Sequence, residues 1–111
     1  MEVEHFQFGE IIINNKTYKK DLIIFPGVVM ENWWRRDGHA VCLKDIQEIL
    51  TRRPEVVIFG AGTQSRMVIE PAVEDELKNF GIIFHVFDTN KAVNIYNAYG
   101  DRAVAALHLT C

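Results

Sequence analysis

Cysteine is scarce in this chain. Cys42 and Cys111 are the two it has, too few for a disulfide framework, so a reduced, cytoplasmic setting is the expectation. Long apolar runs are missing as well: none approaches the ~18 residues of a membrane-spanning helix, and membrane insertion is not expected. The opening stretch MEVEHFQFGE is acidic and alternating, which fits neither a signal peptide nor a transit peptide. Positive charge is in deficit, with 12 Lys and Arg against 15 Asp and Glu and a net charge of −3. That balance gives no sequence-independent hold on phosphate backbones, so nucleic acid is not an expected partner. The four histidines and two cysteines include no C-x-x-C and no H-E-x-x-H, and their spacing predicts no metal site. Repeats, low-complexity segments and linker-like stretches are absent too.

What remains is an ordinary globular composition, 49% hydrophobic and 24% charged over 111 residues, expected to form one domain spanning 1–111. The first third reads as strand. His5 to Ile13 is mostly apolar and ends at Asn14-Asn15, a pair suited to a tight hairpin turn because asparagine tolerates positive φ. A second strand centres on Asp21-Leu22-Ile23-Ile24-Phe25 and stops at Pro26-Gly27, and a third runs through Asn32–Arg36 before Asp37-Gly38. Together they suggest an antiparallel meander.

The period then changes. Leu43, Ile46, Ile49 and Leu50 make an apolar helical stripe, closed by Arg52-Arg53 and Pro54. Glu55–Phe59 is a short buried strand. Pro71 opens a helix at its first position, with Glu74, Asp75 and Glu76 near the positive end, and Gly81 closes it. Ile82–Phe87 is a strand without a charged residue. Asp88 or Thr89 caps a further helix that ends at Gly100, and Ala103–Leu107 is a last apolar strand. Strand, helix, strand, helix, strand makes two βαβ units, whose crossovers leave their strands parallel. The expected fold is α/β, with a mixed, partly parallel sheet covered by helices and an N-terminal antiparallel portion.

Parallel strands place their carboxyl ends on one sheet edge, where open α/β proteins usually bind ligands. Gly60-Ala61-Gly62-Thr63-Gln64-Ser65, Asp88-Thr89-Asn90 and His108-Leu109-Thr110-Cys111 all leave that edge. The first of these, after the run Val56-Val57-Ile58-Phe59, resembles the start of a dinucleotide fingerprint, and Asp88 stands where an acidic residue is wanted. Pro71 argues against it, because the fingerprint helix starts at the second glycine and a proline nine residues later would lie inside that helix. The glycines then serve close backbone approach or a left-handed turn.

Trp33-Trp34-Arg35-Arg36-Asp37-Gly38-His39 is the other unusual stretch. Alternation sends Trp33 and Arg35 to one face and Trp34 and Arg36 to the other, with one tryptophan in the core. An exposed tryptophan beside arginine suits a carboxylate or a partner protein. Catalytic candidates are thin: His108 and Cys111 could pair as base and nucleophile, but Cys111 closes the sequence. A terminal carboxylate would raise its thiol pKa, and terminal residues tend to fray. His85 reads as a packed or edge histidine.

One set of residues resembles a known family along nearly the whole chain. In order it comprises Pro26-Gly27, Trp34-Arg35 with Gly38-His39, Val57-Ile58 with Gly60 and Gly62, and Leu77 with Gly81-Ile82. It continues with Thr89 and Ala92-Val93, Tyr96-Asn97, and Ala106-Leu107-His108 with Thr110-Cys111. The chain looks like the Mth-type domain family of unknown function, which includes an assembly factor of mitochondrial respiratory complex I. The resemblance implies a three-layer α/β fold, no established activity and no required cofactor, and action through protein contacts. The leading expectation is therefore a non-catalytic interaction or assembly-factor-like domain with a protein partner of unstated identity; self-association is left open. The alternative is a small-molecule or anion binder at the sheet edge, and a purely structural domain comes third. The residues expected to form a ligand or partner surface are Trp34, Arg35, His39, Gly60, Gly62, Thr63, Gln64, Ser65, Asp88, Thr89, Asn97 and His108.

Overall fold

A computed structural model describes residues 1–111. Its N-terminal strands β1 (Val3–Gln7), β2 (Glu10–Ile13) and β3 (Lys16–Tyr18) form a three-stranded antiparallel sheet. Asn14 and Asn15 join β2 to β3 with φ of 49° and 65°, the two positive angles that a primed hairpin turn demands. The single strand expected from His5 to Ile13 is instead two, divided at Phe8-Gly9, where Gly9 takes φ of 78° and donates its N–H to Leu109 O at 2.7 Å. Pro26-Gly27 stops β4 (Leu22–Phe25) as expected and forms the tip of a hairpin with β5 (Val28–Met30). No strand forms over Asn32–Arg36. Asn32 turns the chain at φ of 56°, and the Trp33 N–H goes to Asp21 O at 2.8 Å rather than into a ladder.

A five-stranded sheet runs in the order β5-β4-β10-β7-β9, where β7 is Val56–Ala61, β9 is Ile83–Phe87 and β10 is Ala103–His108. The strands β10, β7 and β9 are parallel, whereas β4 runs antiparallel to β10, so the sheet is mixed. A small parallel pair, β6 (Ala40–Val41) with β8 (Val68–Ile69), lies beside it. Leu43–Ile46 is a 3₁₀ turn that leads into α1 (Gln47–Arg52), and Arg53 at φ of 46° reverses the chain before Pro54. The helix α2 (Pro71–Asn79) starts at its proline, and α3 (Thr89–Tyr99) is capped by the Asp88 side chain, which accepts from Lys91 N–H at 3.0 Å. These helices close the two βαβ units β7-α2-β9 and β9-α3-β10.

Strand alternation then builds the layers. Ile23, Phe25, Val57, Phe59 and Val104 face Ile46, Ile49, Val73 and Leu77 on one side. Leu22, Ile24, Val56, Ile58 and Ala105 face Ala92, Val93 and Tyr96 of α3, and Val3, Ile11 and Ile13 of the N-terminal sheet, on the other. Each such aliphatic or aromatic side chain contributes about 1.5–3 kcal/mol when fully buried. The result is a three-layer α/β fold. Tyr96 lies within the second layer with no partner for its hydroxyl, and burial with the nearby Asp101 pushes its phenol up to about 12. No helix is long and apolar enough to cross a membrane.

Candidate functional site

Because β4 is antiparallel to β10, its first residues lie at the edge where the parallel strands end. Their register pairs Leu22 with Leu107, which sets Asp21 beside His108. Asp21 Oδ2 lies 2.7 Å from His108 Nδ1 and accepts from Arg35 Nη2 at 2.6 Å, while Oδ1 accepts the Leu109 N–H at 2.8 Å. Arg35, only 6% exposed, also donates to Gly38 O at 3.0 Å and to Trp33 O at 3.4 Å. Its guanidinium lies over the Trp33 ring, 4.4 Å from the centroid, and the Trp33 indole N–H donates to Asp45 O at 3.0 Å. A guanidinium, a carboxylate and an imidazole are thus locked together beneath the sheet edge.

The charges act on one another. Burial alone would raise the Asp21 carboxyl, but the His108 bond, the Leu109 amide and Arg35 outweigh it and hold the carboxyl below its ordinary value. The hydrogen bond to Asp21 raises His108 against the opposing effects of burial and Arg35. Next to this pair stands Cys111. His39 Nε2 lies 3.4 Å from its sulfur, and His39, His108 and Thr110 together draw the thiol down to about 7. This reverses the expectation of a raised thiol pKa on a frayed end. The Cys111 carbonyl accepts the N–H groups of Gln64 and Arg66, both at 3.3 Å, and the residue is tied down. The rings of His39 and His108 meet edge to face at 6.2 Å. One ligand atom each of His39, His108 and Cys111 lies within 4.8 Å of the others. Arg35 Nε and His108 Nε2 are buried without partners.

The residues expected from the sequence are not all brought to one place. His39 and His108 join the cluster just described. Trp34 is 79% exposed between buried Trp33 and buried Arg35, so the alternation of burial survives without a strand. Arg35 is almost wholly buried, with its guanidinium on Asp21, and what remains of it lines a groove beside Trp34. Gly60, Gly62 and Thr89 form a neutral cluster, in which Thr89 Oγ1 donates to His108 O at 2.6 Å and accepts the Gly62 N–H at 2.8 Å. Gly62 takes φ of +99°, and a Cβ there would lie 2.2 Å from the Cys111 carbonyl carbon. The N–H groups of Thr63, Gln64 and Ser65 go to Thr110 O, Cys111 O and Gly62 O. Asp88 caps α3, and Asn97 lies elsewhere, its amide bonded to both backbone groups of Val3 at 2.8 and 2.9 Å. Asp21 and Cys111 complete the charged cluster; Cys111 had been weighed as a nucleophile beside His108 and set aside, and Asp21 was not expected there at all. The available signal was a charged residue placed directly before four consecutive buried apolar ones.

Residues 3–108 match the family described as protein of unknown function (DUF498/DUF598), and the chain belongs to it. The fold is shared with conserved hypothetical protein PH1505 from Pyrococcus horikoshii OT3, at 21% identity and a TM-score of 0.85 over 100% of both chains. MT938 is 22% identical with a TM-score of 0.80, covering 99% of this chain and 98% of its own. A Mth938-like domain protein of Bordetella pertussis is 20% identical with a TM-score of 0.77, covering 97% and 85%.

Proposed function

We propose that this member of an uncharacterised family is a protein-interaction domain whose docking surface centres on Trp34. The observation that carries the reading is the exposure of that indole, 79%, between two neighbours that are almost wholly buried. With Trp33 held by Asp45 O and Arg35 held by Asp21, the backbone on either side of Trp34 is fixed. A large aromatic presented from a rigid support loses little conformational freedom on binding, which is what an interface anchor requires. A groove of about 820 Å³ beside it is lined in part by Trp34, Arg36, Leu43, Lys44, Asp45 and Glu70. On its other side a second groove is lined in part by Lys20, Asn32 and Arg36. With Asp21 and Arg35 paired, the three bases Lys20, Arg36 and Lys44 outnumber the two acids Asp45 and Glu70 around Trp34, which favours a partner segment with an apolar centre and acidic flanks. The resemblance to a family that includes an assembly factor supports the same reading.

The alternative, a nucleotide or anion at the Gly60–Ser65 loop, loses support from the geometry. The amides that would face a phosphate are spent on Thr89, Thr110, Cys111 and Gly62, so we read the loop as architecture.

A displayed peptide library, selected on the wild-type protein and counter-selected on Trp34→Ala, tests the proposal. Enrichment of peptides with an apolar side chain between acidic residues is expected, with affinity falling about 30-fold or more on Trp34→Ala, as for an interface hot spot. Selected peptides that bind both proteins equally would overturn it, as would no enrichment at all.

A further inference from the structure

We propose that His39, His108 and Cys111 form a site for one divalent transition-metal ion of the zinc class, with an open fourth coordination position. The site is independent of the Trp34 surface and was not foreseen from motif spacing. Its ligands come from two distant parts of the chain, residue 39 and residues 108–111, so no short pattern announces it.

The first support is geometric. Ligand atoms of the three residues already lie within 4.8 Å of one another. Of these separations, His39 Nε2 to Cys111 Sγ is 3.4 Å. Zinc–nitrogen and zinc–sulfur bonds of ~2.05 and ~2.3 Å at a tetrahedral angle put such a nitrogen and sulfur ~3.5 Å apart. A bound ion therefore fits between them with little rearrangement, and the His108 ligand atom lies within 4.8 Å of both.

The second support is the state of His108. Its side chain is nine-tenths buried, Nδ1 is engaged by Asp21 at 2.7 Å, and Nε2 is buried with no partner at all. Buried polar atoms without partners are uncommon and call for a reason. An imidazole whose Nδ1–H donates to a carboxylate carries its lone pair on Nε2 and has its ring plane fixed, which is how metal-binding histidines are usually supported. Here Asp21 would be that supporting carboxylate, steadied in turn by Arg35 and the Leu109 amide.

The third support is the donor set and its mobility. Two imidazoles and one thiolate suit zinc, cobalt or copper and do not suit magnesium or calcium, which prefer oxygen. Cys111 is anchored through its carbonyl by the Gln64 and Arg66 amides, so its sulfur is held in place. His39 sits on the exposed rim and gives an ion a way in. Three protein ligands with room for a fourth is the count of zinc sites that bind an exchangeable water or small molecule, whereas structural zinc sites are closed by four. The competing use of the same groups is a metal-free thiol with histidine neighbours.

The test is a cobalt titration of tag-free, reduced and chelator-stripped protein, followed by displacement with zinc. Saturation at one cobalt per chain is expected, with a thiolate-to-cobalt charge-transfer band and the strong ligand-field bands of a tetrahedral ion. The charge-transfer band should vanish in Cys111→Ser and persist in Cys42→Ser, whose cysteine lies outside the cluster. His39→Gln, a change on the exposed rim that leaves the buried ion pair intact, should weaken binding at least tenfold with an unaltered circular dichroism spectrum. Absence of a thiolate band at equimolar cobalt would overturn the site and leave the metal-free thiol. A band that survives Cys111→Ser, or an affinity unmoved by His39→Gln, would overturn it equally.

Discussion

Two polar clusters share one edge of the sheet, and His108 belongs to both, with its carbonyl in one and its ring in the other. The first joins Gly62, Thr89 and the His108 carbonyl, and the segment 63–66 with Thr110 and Cys111 extends it. The bonds among Gly62, Thr89 and the His108 carbonyl run between neutral groups, and the hydroxyl of Thr89 both gives and takes. The second joins Asp21, Arg35 and the His108 ring, beside His39 and Cys111, and is built from charge. It leaves two buried nitrogens, Arg35 Nε and His108 Nε2, without partners. A neutral cluster with its bonds made fixes the path of the chain and offers little to a ligand. A charged cluster with capacity left over is costly to disturb and has something to bind with.

The contrast is most easily broken at Asp21. Removing one member of a buried ion pair strands the other, at a cost of about 3–5 kcal/mol, and Asp21→Ala would strand Arg35 together with the Leu109 N–H. Urea denaturation measures the loss. The double variant Asp21→Leu with Arg35→Met should recover much of it, because packed apolar residues of similar volume replace buried ion pairs at little cost. A loss below about 1 kcal/mol in the single variant would mean the pair is effectively solvated, and the second cluster would then resemble the first.

In the neutral cluster the sensitive position is Gly62. A valine there meets a positive φ, which costs roughly 1–2 kcal/mol, and a Cβ that would lie 2.2 Å from the Cys111 carbonyl carbon. With overpacking of about 1–3 kcal/mol added, Gly62→Val should lose about 2–5 kcal/mol. Gly60→Ala should lose less. Gly60 is not among the positive-φ glycines, and its would-be neighbours stand farther off than those of Gly62: Leu107 Cδ2 and the doubly bonded Thr89 Oγ1 at 2.9 Å, with Thr89 Cα at 3.3 Å. Equal losses at the two glycines would mean that the backbone of residues 110–111 is free to move aside.

The same two clusters explain what could be read in advance and what could not. Local chemistry was legible: Asn14-Asn15 made its turn, Pro71 opened its helix, and the strand ends gathered at one edge. Gly62 was legible as a position that tolerates no Cβ, but a phosphate and a peptide carbonyl make the same demand, and sequence does not say which approaches. In Asn32–Arg36 the alternation of burial was right and the strand was wrong, because alternation belongs to any extended chain, paired or not. Asp21 was invisible for a topological reason. Its role exists only because β4 lies antiparallel beside β10, a pairing across more than eighty residues whose partners are fully buried and apolar. His39 and Cys111 meet across a similar gap, so short-range motif spacing passed over them.

The smallest expected effect separates the clusters by pH, in metal-free protein. His108 has its pKa raised above the ordinary 6.5 by Asp21, so the stability it contributes is full below about 6.5 and is lost as pH rises through the folded value. Asp21 is lowered below 3.8, so its contribution is present above that value and is lost as pH falls through the folded one. Cys111 works in the opposite sense on the alkaline side: a thiol lowered to about 7 adds stability as it ionises. In a Cys111→Ser background, therefore, stability should hold a plateau between about pH 4 and 6.5 and decline above it. Adding His108→Gln should flatten the alkaline decline. Adding Thr89→Val should lower the whole curve by about 1–3 kcal/mol, the cost of leaving the Gly62 N–H and the His108 carbonyl unpaired, and leave its shape unchanged. Denaturation midpoints at several pH values resolve shape from height. A decline that persists in His108→Gln would place the titrating group elsewhere, whereas a change of shape in Thr89→Val would mean that carbonyl and ring of His108 act as one unit.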